Sequence, residues 1–176
     1  MPESLEITLI VIGALIGLWL LLFLVNLVFV GSYLNIFKKH KKAITVVLYT
    51  KLENMKKLFS IMNQSGIEVD NRLVSLLSDI TENDFLEPGS PIFEKSKNTL
   101  SYLKDEIMFV ANQNPDLNSN SDFLQAKSNI IESESIYRAN VTMYNADVLG
   151  YNYWIRFAPC CFVFLLFKVK KKEIIS

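Results

Sequence analysis

Hydrophobic and polar positions divide this chain into three zones. From Ile7 to Val30 it is almost wholly apolar, and no charged residue occurs between Ile7 and Phe37. The run of about 24 residues exceeds the ~20 that a helix needs to cross ~30 Å of hydrocarbon, so it predicts a transmembrane helix. Beyond it, apolar residues return at steps of three, four and seven. Phe37, Ile44, Leu48, Met55, Leu58 and Met62 form one helical face, interrupted by Lys41 and Lys51. No Pro or Gly lies between Gly31 and Gly66, so the apolar helix is expected to run on into a polar-faced one of roughly nine turns, with Gly66 kinking or ending it. Ile67 to Ile80 repeats the pattern through Val69, Leu73, Leu76, Leu77 and Ile80, and reads as a further helix or a kinked continuation.

Glu87-Pro88-Gly89-Ser90-Pro91 is a break, and Ser90 followed by Pro91 is a helix start: the hydroxyl accepts from a free N–H and the proline presets φ. The helix that follows, to about Asn112, is expected to bury Ile92, Leu100, Leu103, Ile107 and Val110 and to expose Lys95, Lys97, Lys104 and Glu106. Residues 112–121 are polar, carry Pro115 and connect two helices. Asp122 with Gln125 has the spacing of a capping box that opens the last helix. From there Ile130, Glu134, Tyr137, Val141, Tyr144, Val148, Tyr151 and Ile155 follow heptad steps without interruption, predicting a helix seam with three tyrosines seven apart. Glu134 is the one charge on that seam. It calls for a partner in Arg138, or in Lys41 or Lys51 from a facing helix, because a lone buried carboxylate is costly. The predicted fold is all-α: an N-terminal single-pass transmembrane helix continuing into an antiparallel bundle of long helices.

Charge adds direction. Eighteen basic and eighteen acidic residues cancel, leaving no field to attract nucleic acid. Locally, Lys38, Lys39, Lys41 and Lys42 follow the apolar run and nothing basic precedes it. Basic residues near a membrane helix are retained on the cytoplasmic side, so the N-terminus is expected outside and the bundle in the cytoplasm. The same lysines can hold anionic headgroups. The acidic start, with Glu3 and Glu6, and the length of the run argue against a cleaved signal peptide. Expected divisions are residues 1–6 outside, 7–30 in the membrane, 31–159 as the bundle and 160–176 as an apolar, then basic, tail.

Some features support two readings. Gly13 and Gly17 have the small-xxx-small spacing of a dimerising membrane helix, but also the glycine content that membrane helices ordinarily carry. Asn26 reads as a hydrogen-bonding group at an interface or as a structural residue. Phe157 to Phe167 is apolar, interrupted by Pro159 and too short to span a bilayer; it packs on the bundle, lies at the membrane surface or docks a partner. Cys160 and Cys161 are neighbours, which fits a reducing compartment, simple apolar packing or lipidation. The single histidine, His40, has no second imidazole and no Cys at ligand spacing. There is no phosphate loop, nucleophile elbow or HExxH sequence, so no catalytic, cofactor-binding or metal site is assigned.

Residues 112–157 carry a resemblance. Asn114-Pro115-Asp116-Leu117, then Asn120, Phe123-Leu124, Glu134, Tyr144-Asn145, Val148 and Tyr151-Asn152 resemble the C-terminal signature of the LemA family, whose tyrosine-asparagine pairs precede a Phe-Pro. Here Phe157-Ala158-Pro159 stands in that last place. Ala126 replaces the usual Leu, Arg138-Ala139 reverses an Ala-Arg pair, and the first bundle helix lacks the family's core motif, which makes this a divergent member. The resemblance implies a membrane helix with an outward N-terminus and a cytoplasmic bundle in a bacterial membrane, and it brings no catalytic residue. The expected role is a scaffold or adaptor for membrane-protein partners, in contact with lipid. The alternative is a self-assembling organiser of membrane shape or of a membrane compartment, working as a homo-oligomer.

Overall fold

The structure is a computed structural model of the chain and describes residues 3–157 and 170–175. It is all-α. Helix α1 spans Glu3–Gln64, α2 Asn71–Ser78, α3 Pro91–Gln113 and α4 Ser121–Phe157, with 3-10 turns at Glu82–Phe85 and Pro115–Ser119. The chain forms two compact units: Met1–Phe37 with Ala146–Glu173, and Lys38–Asn145 with Ile174–Ser176. The apolar segment Phe157–Phe167, with Pro159, Cys160 and Cys161, lies outside the described residues apart from the backbone of Phe157.

The uninterrupted run from the apolar zone into the lysines forms one helix, as the absence of Pro and Gly predicts. Its end is set by Gly66, which takes φ +72°. The N–H of Ile67 donates to the carbonyl of Met62 (3.0 Å) and that of Gly66 to Asn63 (3.1 Å), the paired bonds of a Schellman cap that a glycine at this position makes accessible.

In the first unit, residues 5–22 expose every side chain, and this helix is long and apolar enough to cross a membrane. The exposure ends at Asn26 and Val30, which are buried within the unit. Asn26 donates through Nδ2 to the carbonyl of Leu22 (2.6 Å) and accepts at Oδ1 from Trp154 Nε1 (3.2 Å). Trp154 stacks on Phe29, and Tyr151 meets Tyr33 and the edge of Phe37, so α4 runs antiparallel to α1 here. Gly150 faces Tyr33 so closely that a Cβ would lie 3.2 Å from its hydroxyl.

In the second unit the stripe Ile44, Leu48, Met55, Leu58 and Met62 is buried, together with Leu52. α4 is again antiparallel to α1, since Lys51 meets Glu134 while Asn54 meets Asn129. Two expectations for the intervening segments are corrected. The helix expected over 67–80 is confined to Asn71–Ser78, because Gly66 releases the chain into an extended stretch and Asp70 starts a new helix by accepting from Arg72 N–H (2.8 Å). On α3 the buried stripe is Phe93, Ser96, Leu100, Leu103, Ile107 and Ala111, while Ile92 is exposed and Val110 only half-buried. Phe93 lies seven residues before Leu100, about 20° off its azimuth; Ile92, at eight, is about 80° away. Phe93 meets Phe85 edge-on, and Phe85 is fixed by Thr45, whose hydroxyl donates to its carbonyl (2.6 Å).

Candidate functional site: the tyrosine-asparagine pairs of α4

The signature residues fall into two groups. The first makes the corner between α3 and α4. Asn114 closes α3, its Nδ2 donating to the Val110 carbonyl (2.8 Å); Pro115 begins the 3-10 turn; Leu117 is buried under it; Asp116 is exposed. Asn120 then caps α4, its Oδ1 accepting from the N–H groups of Asp122 (2.9 Å) and Phe123 (3.1 Å). The cap expected at Asp122 is therefore Asn120, two residues earlier, because its shorter path to two free N–H groups satisfies both at once. Phe123 is fully buried.

The second group lies along the seam. In the second unit Ile130 and Tyr144 are buried, and Glu134, Tyr137 and Val141 half-buried; in the first, Val148 and Tyr151 are buried and Ile155 half-buried. Glu134 takes Lys51 as its partner, Nζ to Oε2 at 2.6 Å, with Arg138 Nη2 at 3.6 Å on Oε1. Burial alone would push this carboxyl up, but the Lys51 hydrogen bond and charge, with Lys104 and Arg138, outweigh it and hold the group below its ordinary value. Tyr137 is different. Burial, with the carboxylates of Glu94 and Glu134 nearby, pushes its phenol up to about 12, and its buried hydroxyl has no hydrogen-bond partner among the described residues.

The asparagines beside two of the tyrosines bond to the backbone of residues 170–175. In the first unit Asn152 Nδ2 donates to the Lys172 carbonyl (2.8 Å), while Lys172 N–H donates to Asn152 Oδ1 (3.0 Å). The Tyr151 hydroxyl makes a long contact, 3.5 Å, to the Lys170 carbonyl. In the second unit Asn145 treats Ile175 identically, at 2.8 and 2.9 Å. Nothing in the residue pattern announced this pairing, although the seven-residue recurrence of Tyr-Asn was visible.

Of the surface lysines, Lys38, Lys39 and Lys42 are exposed and Lys41 is half-buried. A cleft of about 240 Å³ beside α2 and α3 is lined by Asp79, Asp84, Lys95 and Thr99 among others, but Asp84 is already committed to the N–H of Thr81. Among the described residues no three His, Cys, Asp or Glu side chains converge as metal ligands.

An all-α protein with, among the described residues, one helix able to cross a membrane, and with paired tyrosines and asparagines along α4, is the class that fold and site define. Residues 76–176, more than half the chain, match the model of the LemA family, and the chain belongs to that family. No curated protein and no solved structure matches it.

Proposed function

We propose that this LemA-family chain is a single-pass scaffold or adaptor of a bacterial membrane, which holds a cytoplasmic helical bundle at the surface to bind membrane-associated protein partners without catalysing a reaction. The observation that carries the anchor is the uncovered apolar length of α1. Ile7 to Val25 has no charge and is exposed except at half-buried Phe23. At 1.5 Å per residue it covers about 29 Å, the thickness of the hydrocarbon. Asn26 and Trp154 then mark its inner edge, where an amphipathic indole is favoured.

The binding role is supported by apolar side chains left over after the core is filled. On α4, Ile131 and Met143 are each 58% exposed, while the seam of the same helix is buried. Single large apolar residues on a surface are ordinary, so what they offer is contact sites for another chain rather than a defined pocket. The homo-oligomeric alternative draws on Gly13 and Gly17, whose Cβ positions meet nothing within 4 Å and leave one face of the span open to a second helix.

Two experiments test the proposal. With Cys160 and Cys161 replaced by Ser, a membrane-impermeant thiol reagent should label Cys at Ser4 and spare Cys at Ser119 in intact cells; the opposite pattern refutes the orientation. Photo-crosslinkers at Ile131 and Met143, used in native membranes, should capture a membrane-associated protein. Capture of this chain alone would replace the adaptor with the self-assembling organiser.

A further inference from the structure

Among the described residues, Asn145 and Asn152 bond to main chain and not to side chains. A carboxamide presents one acceptor and a pair of donors at the spacing of a peptide group. Each of these two engages the N–H and the C=O of a single residue, as opposed residues do across a hydrogen-bonded antiparallel pair. Such a contact identifies an extended backbone and is indifferent to sequence. The side chains of residues 170–174 are exposed accordingly. Only Ile175 is buried, and its Cγ1 lies 3.9 Å from the point a Cβ on Gly89 would occupy, at a glycine whose φ of +89° residues with a side chain rarely adopt.

We propose that the tyrosine-asparagine pairs of α4 are two peptide-backbone clamps, one in each unit, each a binding site for a single residue of an extended peptide through its free N–H and C=O, with an aliphatic side chain favoured at the Asn145 clamp. The segment 170–175 occupies them in cis, and the same segment offered in trans can occupy them when the resident one is disabled. Nothing in this depends on the adaptor role.

The test uses the full chain in detergent micelles with Lys172→Pro and Ile175→Pro. Proline lacks the N–H that each asparagine accepts, and both positions lie outside the helices, so the clamps are freed and α4 is untouched. A fluorescent peptide spanning residues 169–176 should bind this chain saturably. N-methylation of the peptide at Lys172 and Ile175, or addition of Asn145→Ala and Asn152→Ala to the chain, should weaken binding at least tenfold. Alanine at Lys171 and Ile174 of the peptide should change it less than twofold. Absence of saturable binding, or equal binding by the N-methylated peptide, overturns the proposal. A second measurement needs no proline. Amide exchange in the unaltered chain should be at least tenfold slower at Lys172 and Ile175 than at Lys171 and Ile174, with Asn152→Ala releasing the first and Asn145→Ala the second. Uniform exchange along the segment overturns it equally.

Discussion

Replacing Glu134 by Leu should destabilise the second unit far more than replacing Lys51 by Met, although both changes break the same 2.6 Å ion pair. The difference lies in what each leaves behind. The Lys51 side chain is 5% exposed, and without Glu134 its ammonium stays in the bundle with its counter-charge gone. Breaking a buried pair from one side costs about 3–5 kcal/mol. The carboxylate side is 26% exposed, so water reaches the abandoned ammonium and the lower end, about 3 kcal/mol, is expected. After Lys51→Met, the carboxylate that remains is more accessible to solvent and keeps Arg138 at 3.6 Å, so the cost falls to about 1 kcal/mol. The double change removes both charges and should lie close to the parent, which makes the two changes strongly non-additive.

Guanidinium unfolding of the full chain in micelles, followed by circular dichroism, measures all four proteins. Equal losses for the two single changes, or a double variant that loses their sum, would refute the account of a buried lysine dependent on one carboxylate. Acid titration supplies a further check. The Glu134 carboxyl is held below its ordinary value of 4.5, so its contribution is complete above that pH and disappears as pH falls through the lower folded value. Parent stability should therefore drop below about pH 4.5 by more than that of the double variant.

Three further outcomes are expected. Tyr137→Phe removes a buried hydroxyl that lacks a partner, and should leave stability unchanged or raise it by about 1 kcal/mol at neutral pH. Because the folded phenol is raised from 10 to about 12, the parent should lose stability as pH rises across that window and Tyr137→Phe should not, which alkaline unfolding curves will show. Tyr144→Ala, at a buried seam position, should cost about 3–5 kcal/mol, whereas Tyr153→Ala, at an exposed one, should stay within about 0.5 kcal/mol; equal thermal shifts would mean that the seam faces elsewhere. Asn120→Ala should cost about 1 kcal/mol in the same melts by freeing two N–H groups at the start of α4, and Asp122→Ala much less.

Periodicity made the long elements legible. The steps from Ile44 to Met62 and from Ile130 to Tyr151 are enforced by burial on one side of a helix, and both are buried or half-buried throughout in the structure. The errors arose where a helix is short or begins. Over 67–80 the apolar spacing continued through residues that are not helical, because Ile67, Val69 and Ile80 cover the core from extended chain as readily as from a helix. The stripe on α3 was misplaced by one residue at each end, since Ile92 and Phe93, like Val110 and Ala111, are both apolar and only azimuth separates them. Asn120 was passed over as a cap because two polar residues, Ser121 and Asp122, stand between it and the first buried position.

The role of the asparagines was beyond that kind of reading for a different reason. Heptad spacing reports which side chains face the neighbouring helices, and on that score Tyr144 and Tyr151 are simply core. The residue that follows each is turned about 100° further around α4, to the margin of the buried stripe, where the tyrosine fixes its position and a half-exposed carboxamide remains available. A tyrosine followed by an asparagine is thus a unit in which one side chain anchors and the next one binds. Its binding partner is main chain, which leaves no signature in the partner's sequence: Lys172 and Ile175 share neither charge nor shape, yet each offers the same N–H and C=O. Variation of residues 170–172 and 174 should therefore be tolerated wherever an N–H is retained, and a proline scan of these positions and Ile175, read by amide exchange at the remaining clamp, should find Lys172 and Ile175 the sensitive ones. A scan equally sensitive at Lys171 or Ile174 would mean that side chains, and not backbone, are being held.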